Sequence, residues 1–323
     1  MKAITFDNEL KLDTNYPKPQ PKKGEALIKV TLAGICNTDY EITKGYMGYV
    51  GVLGHEFVGI VEDVNSEKEQ DKKLIGKRVV AEISWGCDDP NCEWCAKKNY
   101  RHCPNRHTIG IWKKDGCMAE YLTVPTNILF EVPENVTNEQ AVFVEPLAAA
   151  CEILEQLHIE PTQKVLVLGD GKLGLTTALT LNAHNLDVLL VGKHQNKLDI
   201  AKAQGVKTAL LNDLKPEKYD VVVEATGSAS GFETSMSLTK PRGVLVLKST
   251  VASGKELNLA PIVIDEITVL GSRCGQFGPA LRLLEKGKLD FTPFISGIYS
   301  IDDALEAFEA NKSRETLKIL IKI

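Results

Sequence analysis

The stretch Gly169-Asp170-Gly171-Lys172-Leu173-Gly174 directly follows an apolar run, KVLVL at 164–168, and opens a helical pattern at 172–183. Glycines at this spacing permit a tight turn, let the backbone approach a pyrophosphate and allow a helix to pack on a sheet. The helix N-terminus meanwhile offers unpaired N–H groups and a positive dipole to phosphates. A glycine-rich turn of purely structural duty would look the same in isolation, so the setting decides. Strand patterns recur at 188–191, 221–224, 244–247 and 267–270, with a helical pattern at 197–204 between the first two. That alternation belongs to a doubly wound parallel sheet. Within it the motif predicts a dinucleotide site built on Gly169, Gly171, Lys172, Leu173 and Gly174.

The choice of dinucleotide is expected about 20 residues further on, where an acid at the tip of the second strand would accept hydrogen bonds from the adenosine ribose. Here the tip reads Gly192-Lys193-His194; Asp187 lies at the wrong end of the strand and Asp199 inside the next helix. A glycine followed by cations leaves room for a 2'-phosphate and compensates its charge, so NADP(H) is expected, with NAD(H) the alternative if Lys193 is only a surface lysine in a turn.

The first 135 residues have a different texture. Short β-branched runs at 26–32, 58–64 and 78–82 are broken by Gly, Pro and Asn, the pattern of an antiparallel, barrel-like domain. A helix is expected over 139–157, capped by Asn138. Helices at 279–285 and 301–310 and a strand at 317–323 follow the parallel series, and that strand is expected to return to the first domain. The fold class is therefore α/β: a mostly β domain at 1–145 and 276–323, and a dinucleotide-binding domain at 146–275.

Cys87, Cys92, Cys95 and Cys103 crowd into one loop-like segment. Thiolates at this spacing suit a closed tetrahedral zinc site, whereas a zinc-knuckle module or four free thiols are the bland readings. A second ligand set, Cys36, His55, Glu56 and Glu145, is dispersed in sequence and mixes donor types, as a catalytic zinc site does. Zinc beside a nicotinamide would serve hydride transfer. The formal net charge of −5 argues against a nucleic-acid binder, which would need a basic face. No stretch reaches the roughly 18 apolar residues of a membrane helix, and MKAITFDNELKLD at the start has no apolar signal core. A cytoplasmic address is expected, in which the eight cysteines act as ligands or small hydrophobes.

Taken together these motifs resemble the zinc-containing medium-chain alcohol and polyol dehydrogenases over essentially the whole chain. Cys36-Asn37-Thr38-Asp39 is similar to the family's Cys-x-Ser/Thr-Asp segment. The resemblance implies Cys36 as a zinc ligand, Thr38 as the hydroxyl that passes on the alcohol proton, and Asp39 as the partner of a ligand histidine. Gly54-His55-Glu56-Phe57-Val58-Gly59 is similar to GHExxG, which implies His55 as ligand and Glu56 as ligand or exchanging near-ligand. Phe143-Val144-Glu145-Pro146-Leu147 resembles the polyol, glucose and threonine branches, where the glutamate binds zinc directly or through water. Gly192-Lys193-His194 resembles the Gly-Ser-Arg of NADP-using members. The chain departs from the family pattern in the four residues between Cys87 and Cys92, where two are usual, in Glu41 where many members have a relay histidine, and in Lys248 after the strand at 244–247. The implied architecture is a GroES-like catalytic domain joined to a Rossmann domain. Its implied chemistry is hydride transfer between an alcohol or polyol, or its carbonyl counterpart, and a nicotinamide, with two zinc ions per chain and a homo-oligomeric enzyme. A non-catalytic member of the fold would be expected to lose Cys36, His55 and Glu56, all of which are present.

Overall fold

The computed structural model describes residues 1–87, 89–249 and 257–323. Two compact units emerge, one from Met1–Glu145 with Phe291–Ile323 and one from Pro146–Asp290. The second division thus falls at 290/291 and not at 275/276. The reason is local: Gly275 packs so closely on Ala148 that a Cβ would lie 1.8 Å from its carbonyl oxygen, and Gln204 exchanges hydrogen bonds with the backbone of Asp290, which keeps the helix Phe277–Glu285 with Pro146–Asp290.

The unit containing the N-terminal residues is built on the strand Glu25–Gly34, buried along most of its length, with Ala26, Ile28 and Val30 in the core. It pairs antiparallel with Glu56–Asn65 on one side. On the other side it pairs with Tyr121–Pro125 along residues 25–29 and with Lys318–Lys322 along residues 32–34. One strand with three partners makes the sheet split and turn. Leu129–Glu131 and Arg78–Ala81 extend it beyond Glu56–Asn65, and Ile295–Ser300, a strand that sequence pattern missed, extends it beyond Lys318–Lys322. Ile301, Phe308, Ile319 and Ile321 pack into the same core as Ile4, Ile28 and Phe57.

The helix expected over 139–157 is two helices, Asn138–Ala141 and Val144–Gln156. Thr137, not Asn138, is the N-cap; its side chain accepts a hydrogen bond from Gln140 N. Pro146 explains the break. It has no N–H for the carbonyl of Val142, and its ring would collide with that carbonyl in a continuous helix, whereas in a first turn neither matters. Phe143, at the break, stacks on Phe291 at 4.7 Å and meets Phe294 edge-on.

The second unit is a six-stranded parallel sheet in the order Lys207–Leu210, Asp187–Gly192, Lys164–Leu168, Tyr219–Glu224, Thr239–Leu247, Thr268–Gly271. Numbered along the chain this is 3-2-1-4-5-6, the doubly wound order that places a ligand crevice at the carboxyl ends where strands 1 and 4 diverge. Leu166, Leu168, Val222 and Leu245 form its buried core, and the central strands read as unbroken apolar runs because both faces are covered.

Candidate functional site

Among the described residues, two groups of side chains bring their donor atoms within 4.8 Å of one another: Cys87, Cys92, Cys95 and Cys103, and Cys36, His55 and Glu56. In the first group Cys92 caps the short helix Glu93–Ala96, which carries Cys95, and Cys103 follows a helical turn at Tyr100–His102; Asp88 lies outside the described residues. The Sγ separations are 3.9 Å for Cys87 and Cys95, 3.7 Å for Cys92 and Cys103, and 3.6 Å for Cys87 and Cys103. A tetrahedron with Zn–S near 2.3 Å has edges of about 3.8 Å, so the thiols already stand at zinc-ligand spacing. A disulfide needs about 2.0 Å, and every cysteine here is a free thiol. Gly86 makes room for the cluster, since a Cβ there would lie 2.3 Å from Cys95 Sγ.

The second group is held from behind. Cys36 caps the helix Asn37–Thr43, and fully buried Asp39 in its first turn accepts hydrogen bonds from Cys36 N at 2.8 Å and Gly54 N at 3.2 Å. His55 Nδ1, which makes no closer hydrogen bond, faces Asp39 Oδ1 at 3.5 Å. That makes Nε2 the atom that could ligate a metal, with Asp39 in the position of a carboxylate behind a metal-binding histidine. Burial lowers the His55 pKa, but the charges of Asp39 and Cys36 outweigh it and hold the imidazole up at about 10. So much acid around one buried histidine is the environment a divalent cation neutralises.

Glu56 is also buried, and its Oε2 forms an ion pair with Lys318 Nζ. Burial opposes the Lys318 charge, yet Glu56 and Cys36 together raise its pKa. Gly34 leaves space for this pair, since a Cβ would come within 2.8 Å of Glu56 Oε2. Lys318 escaped sequence reasoning because KILIK looks like any closing strand. Glu145, second residue of the helix Val144–Gln156, acts electrostatically on both His55 and Lys318 but stands outside the three-residue group. Thr38 Oγ1 lies 3.7 Å from Cys36 Sγ. Glu41 has a different partner, Lys44 at 3.0 Å, on the exposed side of the helix.

In the second unit Gly169 has φ +120°, and a Cβ on Gly174 would lie 1.9 Å from its carbonyl oxygen. No other residue fits this crossing. Gly171, beside which a Cβ would meet nothing, is the N-cap of the helix Lys172–Ala183 and brings no side chain to cap it. A helix that begins at a glycine, with open space beside it and no capping side chain, is a turn that a pyrophosphate fits. At the second strand's tip the space beside Gly192 is filled: a Cβ there would lie 2.5 Å from Asp170. The Asp170 carboxylate accepts hydrogen bonds from Lys193 N and His194 N, both 2.6 Å, and lies 3.0 Å from His194 Nδ1. The Lys193 side chain is exposed. Lys248 is buried, its Nζ donating to Ala149 O at 2.6 Å, Arg273 O at 3.0 Å and Ser272 Oγ at 3.3 Å, so it ties the exits of the fifth and sixth strands to the helix Val144–Gln156.

With this geometry in view, comparison with known proteins is direct. The alcohol dehydrogenase GroES-like domain matches residues 22–134 and the zinc-binding dehydrogenase domain matches residues 173–286. D-arabinitol dehydrogenase 1 of Uromyces fabae is 30% identical over 92% of this chain and 90% of its own length. Sorbitol dehydrogenase of Homo sapiens is 28% identical over 97% and 93%. Among solved structures, an alcohol dehydrogenase of Escherichia coli CFT073 complexed with NADH superposes with a TM-score of 0.90 at 25% identity, covering 100% of this chain and 99% of that one. A zinc-binding dehydrogenase of Sinorhizobium meliloti 1021 bound to NADP does so with 0.90 at 27% identity and the same coverage. The chain belongs to the zinc-containing medium-chain alcohol and polyol dehydrogenase family.

Proposed function

We propose that this chain is a zinc-dependent dehydrogenase that moves a hydride between a polyol or related alcohol, or its ketone or aldehyde, and a nicotinamide dinucleotide. The observation that carries the reading is the convergence of Cys36, His55 and Glu56, with Asp39 behind the histidine. Polyols are favoured as substrates by the names of the relatives, D-arabinitol and sorbitol dehydrogenases.

Cys36 and His55 would hold the catalytic zinc, with Glu56 or Glu145 completing the set, and Cys87, Cys92, Cys95 and Cys103 would hold a structural one. When bound, the catalytic ion supplies Lewis acidity at the alcohol oxygen. Asp39 fixes the His55 ring, and Lys318 restrains the Glu56 carboxylate. Thr38 would accept the hydroxyl proton while passing its own on toward water, and a nicotinamide bound at the glycine turn would supply the hydride acceptor. Glu41, held by Lys44, has at most a secondary part in proton exit. The turn Gly169–Gly174 and the helix behind it take the pyrophosphate. The expectation of NADP(H) rested on open space beside Gly192 and on the cation of Lys193 after it; Lys193 is exposed, but with Asp170 in that space NAD(H) is the reading the geometry favours.

A homo-oligomer is supported by the edge position of Thr268–Gly271 and by Val263 and Ile264, which are 79% and 76% exposed on the adjoining helix. Among the described residues no helix is long and apolar enough to cross a membrane. The eight free cysteines support a reducing compartment, the cytoplasm. The test is a panel of alcohols, polyols and aldoses with both cofactors, on zinc-replete protein. Oxidation of a polyol that disappears in Cys36→Ser is the expected result, and no nicotinamide reduction with any member of the panel would refute the reading.

A further inference from the structure

The doubly wound fold normally reads the adenosine ribose with an acid on the tip of its second strand. This chain has Gly192 there, and the first βα turn compensates. Asp170, between two glycines of the pyrophosphate turn, extends over Gly192 so closely that its Cβ and Oδ2 each lie 2.5 Å from where a Gly192 Cβ would stand. Its carboxylate therefore fills the volume that a strand-tip side chain would take. The backbone N–H groups of Lys193 and His194 converge on Oδ2, and His194 Nδ1 faces the same oxygen. Those are the donors with which the tip could otherwise have received a phosphate. Among the described residues none donates to Oδ1, so one carboxylate oxygen is still able to accept hydrogen bonds.

We propose that Asp170 is the specificity-determining acid of this enzyme, supplied by the glycine turn in place of the second strand, and that it accepts the ribose hydroxyls of NAD(H) and repels the 2'-phosphate of NADP(H). The inference rests on the dinucleotide reading of the turn. Its chemistry is simple: ribose hydroxyls are donors and a carboxylate accepts from them, whereas a 2'-phosphate brings a dianion to a site where an anion already holds the backbone donors. Exposed Lys193 is the counterweight, and it defines the rival outcome. Gly192→Asp, the obvious swap, would not discriminate, because its carboxylate would be forced onto that of Asp170.

The experiment is calorimetric titration of NADH and NADPH into zinc-replete wild type, Asp170→Asn and Lys193→Ala, followed as the ratio of the two dissociation constants. A ratio measured on one preparation is indifferent to the fraction that folded. Wild type should bind NADH at least about tenfold more tightly, a difference of one charge-assisted hydrogen bond. Asp170→Asn, nearly isosteric and uncharged, should shift the ratio about tenfold or more toward NADPH, and Lys193→Ala should shift it less than about threefold. A wild type that prefers NADPH, or a ratio left within about twofold by Asp170→Asn, would overturn the proposal while leaving the dinucleotide site in place. Should wild type bind neither nucleotide, the site itself is misread and the proposal goes with it. Because the wild-type ratio requires no variant, it tests the assignment even if Asp170→Asn does not fold.

Discussion

The buried pair of Lys318 and Glu56 makes the sharpest test of how this unit is held together. Each side chain is 2% exposed. Lys318→Met keeps the length and volume of the side chain but strands the Glu56 carboxylate in the interior, and breaking one partner of a buried pair costs about 3–5 kcal/mol. With a urea dependence of about 2 kcal/mol per molar, the unfolding midpoint should fall by roughly 1.5–2.5 M. Trp85, Trp94 and Trp112, the three tryptophans of the chain, all lie in the unit that carries the pair, so their fluorescence reports on it alone. Glu56→Gln combined with Lys318→Met removes both charges and should recover at least half of the loss, since neutral replacements leave no unpaired ion. Zinc content is measured on each variant, because loss of an ion would add its own destabilisation. A midpoint shift below about 0.5 M for Lys318→Met would mean that the pair contributes no more than a surface bridge, and the argument from burial would be wrong.

Elemental analysis of metal-replete protein should find about two zinc ions per chain; chelation should remove the Cys36 and His55 ion first with loss of activity, and the four-cysteine ion later with loss of stability, while one ion or none would refute the two-site reading. Thr38→Ala should retain zinc and nucleotide binding but lower turnover roughly one hundred to ten thousand fold, and Glu41→Ala should do less; the reverse order would reassign the relay. Gly174→Ala places a Cβ against the Gly169 carbonyl oxygen at 1.9 Å and should abolish binding of both nucleotides while zinc content stays unchanged. Nucleotide titrations equal to wild type would show that the turn yields more easily than its geometry implies.

Most of the parallel sheet was legible because its central strands are apolar runs and its glycine motif stands between a strand and a helix; strand ends moved, as at 267–270, which became Thr268–Gly271, and the edge strand Lys207–Leu210, short and half polar, was missed. The cysteine cluster was legible for the same reason, since local spacing limits how far four thiols can stray. What sequence hid is three-dimensional. Nothing in KILIK distinguishes a lysine that will face Glu56 from one that will face water. Asp170 was visible as an acid inside a glycine motif, yet its reach across to Gly192 depends on the parallel register of Lys164–Leu168 with Asp187–Gly192, which brings Leu168 level with Val191. The division after Asp290 depended likewise on contacts of Gly275 and Gln204 that no local pattern encodes.

The three-partner strand Glu25–Gly34 also sets an order of events at the ribosome. Pro146–Asp290 is one uninterrupted stretch and can complete its sheet as soon as it has emerged. The other unit is begun first but must wait, because Gly34 pairs with Leu320 and the Glu56 carboxylate finds its cation 262 positions later. Until Lys318–Lys322 is made, one side of Glu25–Gly34 is an open edge along residues 32–34, beside a thiol and an imidazole able to capture stray metal. In a newborn chain the sheet of Pro146–Asp290 can therefore close while the sheet built on Glu25–Gly34, though begun first, still lacks its last strand.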